Sequence, residues 1–275
     1  MLCEYFVIRR LRKLALPPRR HCCFHLVTLV RSRDIPMLLT SLASMVQHGS
    51  MCPVTNVVLD DQENLKVAEE ALAAHRHVVR LFTRDHVIQT AEKEGLHLEA
   101  QFARRHHFGL KFAAIQVLGK GQANVYADAD LLYFKDISGL IERHDDCPLT
   151  ASLDYQHSYA PYVVAQAAAL FGLDLLALRP VNAGFALWRG AYDPRQTEPI
   201  LRRILDQREI ALFDEQTLVA SLTHQTGGTF EKDEVLVSDS FLTTWRPSYR
   251  NKPWSVRHYI GPIREQFWID AFHLV

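Results

Sequence analysis

Two aspartates, Asp128 and Asp130, stand two residues apart inside the otherwise apolar segment Asn124–Phe134. In an extended strand that spacing puts both carboxylates on one face. Like charges in apolar surroundings repel, and burying each without a partner is costly. Either the strand surfaces here or a cation sits between the carboxylates, and hard divalent ions favour such oxygen ligands. On these residues alone the metal reading and the solvent-exposed reading stand level.

Other polar residues carry weaker signals. Asp214, Glu215 and Gln216 open a helical stretch, where acids also serve as caps and first-turn residues. Asp154 follows a strand. His258 is one of 14 histidines and, taken singly, reads as an ordinary surface residue. His106 and His107, next to Arg104 and Arg105, read as a solvated basic face, with phosphate contact as the second reading.

The elements that must position these groups alternate. Strands are expected at His25–Val30, Val54–Leu59, Val78–Phe82, Asn124–Phe134, Leu149–Asp154, Ala183–Trp188, Val235–Val237 and Val256–Tyr259. Helices are expected after an N-cap at Asp34, at Glu63–His75, Asp85–Gly95, Phe108–Leu118, Thr197–Gln207 and Glu215–Thr223, and near Ile263–Phe272. Tyr162–Leu178 is apolar except for Gln166 and Asp174 and is broken by Gly172, so it reads as a partly buried helical stretch rather than a membrane span. This order argues for an α/β domain with a mostly parallel sheet, in which ligands bind beyond the carboxyl ends of the strands.

Composition narrows the function. The 275 residues carry 31 basic and 31 acidic side chains, and this balance argues against a nucleic-acid binder. The balance is uneven along the chain: residues 1–20 hold Arg9, Arg10, Arg12, Lys13, Arg19 and Arg20 against Glu4 alone, a net +5 that leaves −5 for the rest. Cys3, Cys22, Cys23, Cys52 and Cys147 are odd in number with no Cys-x-x-Cys spacing, which fits free thiols in a reducing compartment. The apolar stretch at Met1–Ile8 is too short for a secretory leader.

The run Leu110-Lys111-Phe112 through Leu118, followed by Val125-Tyr-Ala-Asp128-Ala-Asp130-Leu-Leu-Tyr-Phe134, resembles the Asp-x-Asp region of GT-A-fold glycosyltransferases. It is most similar to glycosyltransferase family 8, which includes glycogenin and bacterial lipopolysaccharide hexosyltransferases. Leu26-Val-Thr-Leu29 with Leu38-Leu-Thr-Ser-Leu42, Asn182-Ala-Gly184-Phe185, Asp214-Glu215-Gln216-Thr-Leu218 and His258-Tyr-Ile-Gly261-Pro-Ile-Arg264 resemble further blocks of that family, in its order. Together they span Leu26 to Arg264.

The resemblance implies a single Rossmann-like GT-A domain over 21–275, preceded by a basic arm at 1–20. It implies a metal-dependent hexosyltransferase using a UDP-sugar, with a saccharide or glycolipid acceptor and retention of configuration. Asp128, Asp130 and His258 would hold Mn2+ or Mg2+, imidazole with carboxylates suiting manganese. Leu29, Arg31, Ser32, Lys111, Ala129, Asp154, Asn182, Gly184, Gly261 and Arg264 would bind the nucleotide-sugar. Glu215, Gln216 and Asp214 would face the reacting sugar. The sequence departs from the family where Arg31, Ser32 and Ile35 replace the residues that hold the base, and where Glu215 replaces an aspartate. Lys252-Pro-Trp254 lies out of register with the family's ending. The arm is expected to meet an anionic membrane peripherally from the cytoplasmic side.

Two other functions compete with this one. A sugar nucleotidyltransferase needs a glycine-rich loop after its first strand, and Leu29–Pro36 contains no glycine. A non-catalytic nucleotide-sugar-binding relative is favoured by Arg31, Ser32 and Glu215, and opposed by Asp128, Asp130 and His258.

Overall fold

The computed structural model describes residues 2–11, 16–18, 22, 24–119, 123–190, 194–238 and 253–275. In chain order the elements are α1 (Leu2–Leu11), β1 (Phe24–Val30), α2 (Ile35–Gly49), β2 (Thr55–Leu59), α3 (Leu65–Leu72), β3 (Val79–Thr83), α4 (Arg84–Lys93), α5 (His97–Arg105), α6 (His107–Leu118), β4 (Ala123–Ala127), β5 (Leu131–Tyr133), α7 (Ser138–Arg143), β6 (Leu149–Leu153), α8 (Pro161–Phe171), β7 (Val181–Arg189), α9 (Pro194–Leu205), α10 (Asp214–Thr226), β8 (Gly228–Phe230), β9 (Val235–Ser238), β10 (Val256–Tyr259) and α11 (Arg264–Leu274).

Seven strands form one sheet in the order β3-β2-β1-β4-β7-β6-β8, and β5-β10-β9 form a second. In the large sheet only β7 runs against its neighbours. Alternation along each strand builds two cores. Leu26, Val57 and Val125 face α2, α3, α7 and α11, while Val27, Val58 and Tyr126 face α4, α5, α6, α8, α9 and α10. The α/β architecture with a mostly parallel sheet flanked by helices is as expected.

The segment Asn124–Phe134 corrects the sequence reading. It is not one strand: β4 stops at Ala127, the chain turns at Ala129 and Asp130, and β5 joins the other sheet. The large sheet's interior offers no solvent to two carboxylates, and the chain leaves it where they occur. α5 lies where no element was expected, its buried face made only of Ala100, Phe102 and Ala103 around Glu99. Asp34 stands at the start of α2 without capping it, because its carboxylate faces Arg264 instead. α8 ends earlier than the apolar run, at Gly172, whose φ of +67° stops the helix. Among the described residues no helix is long and apolar enough to cross a membrane.

Within the expected basic arm, residues 2–11 form a helix. α1 buries Val7 and Leu11 and packs on α11. Arg10 sits 4.9 Å over the Phe272 ring and donates to the carbonyls of Phe272 and Val275, satisfying the end of α11. Arg12, Lys13, Arg19, Arg20 and Lys252 lie outside the described residues.

Candidate functional site

Three chain-distant elements meet at the turn after β4. β10 pairs with β5, and this pairing brings His258 opposite Leu131, next to Asp130. His258 Nε2 lies 3.2 Å from Asp130 Oδ1 and 3.6 Å from Asp128 Oδ2. One ligand atom from each of Asp128, Asp130 and His258 falls within 4.8 Å of the others, a set that suits a divalent cation. The spacing of Asp128 and Asp130 does not produce this convergence by strand periodicity. The turn and the second sheet do.

β7 makes room for the triad. Asp128 N–H donates to Gly184 O at 2.8 Å, so the β7 backbone passes directly beneath. A Cβ on Gly184 would fall 2.1 Å from His258 Cε1 and 2.6 Å from Asp128 Oδ2, so only glycine fits here. Asn182, two residues earlier, accepts from the Gly184 amide at 2.9 Å and lies 3.1 Å from His258 Nδ1. That contact fixes the outer nitrogen of the ring, as partners of metal-binding histidines do.

Lys111 projects from α6 and is almost fully buried. Its Nζ lies 3.8 Å from Asp128 Oδ1, 3.4 Å from Glu215 Oε1 and 4.3 Å from the centre of the Tyr126 ring. The Tyr126 hydroxyl donates to Asp128 at 2.6 Å. Burial pushes Glu215 up to about 7, with Lys111 opposing and Asp128 adding to the rise. Burial also raises Asp130, but the charges of His258 and Arg264 outweigh it and hold the carboxyl below its usual range. Burial lowers His258, but Asp130 and Asp128 overcome this and hold it raised. Asp154 is raised by burial while accepting from Asn182 Nδ2 and Gln216 Nε2, both at 3.2 Å.

Two clefts share Asp128, Asp130 and Phe108. The first, of about 370 Å³, is lined by Lys111, Asp154, Asn182, Gly184, Glu215, Gln216, His258 and Gly261, with Tyr155, Leu212 and Phe213 among its apolar lining. The second, of about 320 Å³, is lined by Leu29, Arg31, Ala129 and Arg264 from the expected set. Gly261 sits at φ +51°, a conformation most side chains avoid.

Two expected residues lie elsewhere. Asp214 is buried and turns back to accept from the Ala211 amide at 2.7 Å, so it braces the start of α10 and does not line the first cleft. The helix start therefore presents Glu215, one residue on, to the first cleft. Ser32 is held by Asp61 through its amide at 2.7 Å and its hydroxyl at 2.6 Å, and does not line the second cleft.

The second cleft also takes in Asp34 and Asp60, which the sequence reading did not assign to the site, and His107, for which it ranked phosphate contact second. Asp60 follows the carboxyl end of β2, where the parallel-sheet rule points, and it binds Arg84 at 2.8 Å and Arg31 at 3.5 Å. His106 and His107 are half-buried rather than a solvated basic face. Burial, helped by His106, lowers His107 to about 4, so it is neutral.

Neither a protein-family model nor a curated protein matches the sequence. The structure is similar to those of known glycosyltransferases. A galactosyltransferase, LgtC, solved with donor and acceptor sugar analogs, aligns over 90% of this chain and 95% of its own at 15% identity, with a TM-score of 0.57. Mouse xyloside xylosyltransferase 1 aligns over 86% and 97% at 14% identity, with a TM-score of 0.56. The glycosyltransferase GlyE of Streptococcus pneumoniae aligns over 91% of this chain and 60% of its own at 16% identity, with a TM-score of 0.52. The fold is that of the GT-A glycosyltransferases.

Proposed function

We propose that this chain is a metal-dependent glycosyltransferase that moves a hexose from a UDP-sugar to a saccharide or glycolipid acceptor, with retention. The observation that carries the reading is the meeting of Asp128, Asp130 and His258 where the two clefts join. In this arrangement the second cleft takes the nucleoside and the first takes the sugar, with the diphosphate between. The fold shared with sugar-transferring enzymes supports it.

The three residues fit Mn2+ or Mg2+ by donor chemistry and by the space that Gly184 leaves. A bound ion would neutralise charge developing on the departing diphosphate. The chain's own groups supply the rest. Lys111 and Arg264 bring positive charge to the phosphate side, and Gly261 lets the backbone come close to it. Asp154, Asn182 and Gln216, cross-linked by hydrogen bonds, orient sugar hydroxyls. Glu215 faces the sugar carbon, where a carboxylate steadies positive charge or orients the acceptor hydroxyl. Tyr155, Leu212 and Phe213 form an apolar rim for the acceptor.

The acceptor reading extends to a membrane surface. Along α1, Leu2, Tyr5, Phe6 and Arg9 share one face, and the three apolar side chains are 71%, 60% and 40% exposed. An aromatic and basic outer face on a docked helix suits the headgroup region of an anionic bilayer, which supports a peripheral position at an inner membrane face.

Incubating the protein with several UDP-sugars and Mn2+ while following UDP release tests the main reading. Release that needs the metal is expected. No release from any donor, together with no UDP binding, overturns it, and UDP binding without release favours the non-catalytic relative.

A further inference from the structure

β10 presents its residues to two sides. His258 turns toward Asp128, Asp130 and Asn182, and its neighbours Arg257 and Tyr259 turn the other way. Both neighbours end on one atom of α11. Arg257 donates to Asp270 Oδ2 at 2.9 Å, and the Tyr259 hydroxyl donates to the same oxygen at 2.6 Å. Gln266 donates to the other oxygen at 3.0 Å. The Arg257 guanidinium lies 4.5 Å over the Tyr259 ring.

Arg257 is 2% exposed and Asp270 1%, so the ion pair is removed from water. Apolar side chains of similar volume usually stabilise a core as well or better. A charge-assisted pair supplies what apolar packing does not, a fixed direction and distance. Two more links tie this corner to the triad. The Tyr259 amide donates to the Asp130 carbonyl at 3.0 Å. Arg264, the first residue of α11, places its Nε 3.3 Å from Asp130 Oδ2.

We infer that Asp270 is a positioning residue of the metal triad: it clamps the residues on both sides of His258 and thereby sets the reach of the imidazole to Asp128 and Asp130. This rests on the metal reading above. α11 thus governs a site none of whose triad residues it carries.

The test uses the full chain and its Asp270→Asn and Asp270→Leu variants, with Mn2+ affinity read by calorimetry and His258 placement read from metal-free crystals. Asp270→Leu should weaken Mn2+ binding by about 10-fold or more, and His258 should leave its 3.2 Å contact with Asp130. Asp270→Asn, which keeps one acceptor, should fall between it and the wild type, and it carries the test if the leucine variant does not fold. Leu72→Ala, a core change on α3, should lower thermal stability with Mn2+ affinity unchanged, separating position from stability. Affinity within twofold of wild type with His258 unmoved, in whichever Asp270 variant folds, overturns the proposal. Wild type that binds no Mn2+ overturns the metal reading instead, and the placement of His258 in the metal-free variants still decides the positioning claim.

Discussion

Replacing Gly184 by alanine tests how tightly the backbone of β7 frames the triad. The added methyl would lie 2.1 Å from His258 Cε1, 2.7 Å from His258 Nδ1 and 2.6 Å from Asp128 Oδ2, where ordinary contact begins near 3.4 Å. β7 is held between β4 and β6, so the strand cannot retreat. The imidazole and the carboxylate must therefore withdraw, each by roughly 1 Å, a misplacement that costs on the order of 100-fold in rate. Gly184→Ala should lower kcat/KM for Mn2+-dependent UDP release by about 100-fold, equivalent to about 2.7 kcal/mol. Mn2+ affinity should fall with it, while overpacking lowers stability by only about 1–3 kcal/mol. Gly139→Ala is the control, because its Cβ would meet only Arg143 at 4.0 Å within α7; it should keep full activity. A folded Gly184→Ala protein with turnover and Mn2+ affinity within twofold of wild type would refute the reasoning.

Asp130→Ala should abolish metal-dependent UDP release while circular dichroism and cooperative melting persist; wild-type activity in that variant would remove the metal assignment. Glu215, held at about 7 against a usual 4.5, binds its proton more tightly in the folded chain than in the unfolded one. Its contribution to stability is therefore complete below pH 4.5 and is lost as the pH rises through 7, by about 3 kcal/mol at most. Denaturation of Glu215→Gln across this window should show a flatter pH slope than wild type, and an unchanged slope would exclude Glu215 as its source. The combined change Leu2→Ser, Tyr5→Ser and Phe6→Ser should reduce sedimentation with phosphatidylglycerol vesicles several-fold, with little wild-type binding to phosphatidylcholine. Equal binding of the variant and wild type would end the membrane reading.

The sequence by itself determined most of the elements, though not α1, α5, α7 or the break between β4 and β5. The apolar runs at β1 and β2 and the apolar spacing after Asp34 marked two strands and α2, because strand and helix patterns are local properties of the chain. The acids at 128 and 130, with the His-x-x-Gly-x-x-basic block 130 residues further on, were also legible as residues that belong to one chemistry. The tertiary structure alone decided how they meet. Asp128 and Asp130 converge through a turn between two sheets, not through strand alternation. His258 arrives by pairing β10 with β5, and Gly184 is required because β7 runs beneath that corner. Lys111 becomes an ion-pair partner of Glu215 only when α6 packs beside α10, and Asp270 faces β10 only when α11 folds back on it. Periodicity reports which way a side chain points within its own element. What that side chain then meets depends on strand order and helix packing across more than a hundred residues, and no local pattern encodes it.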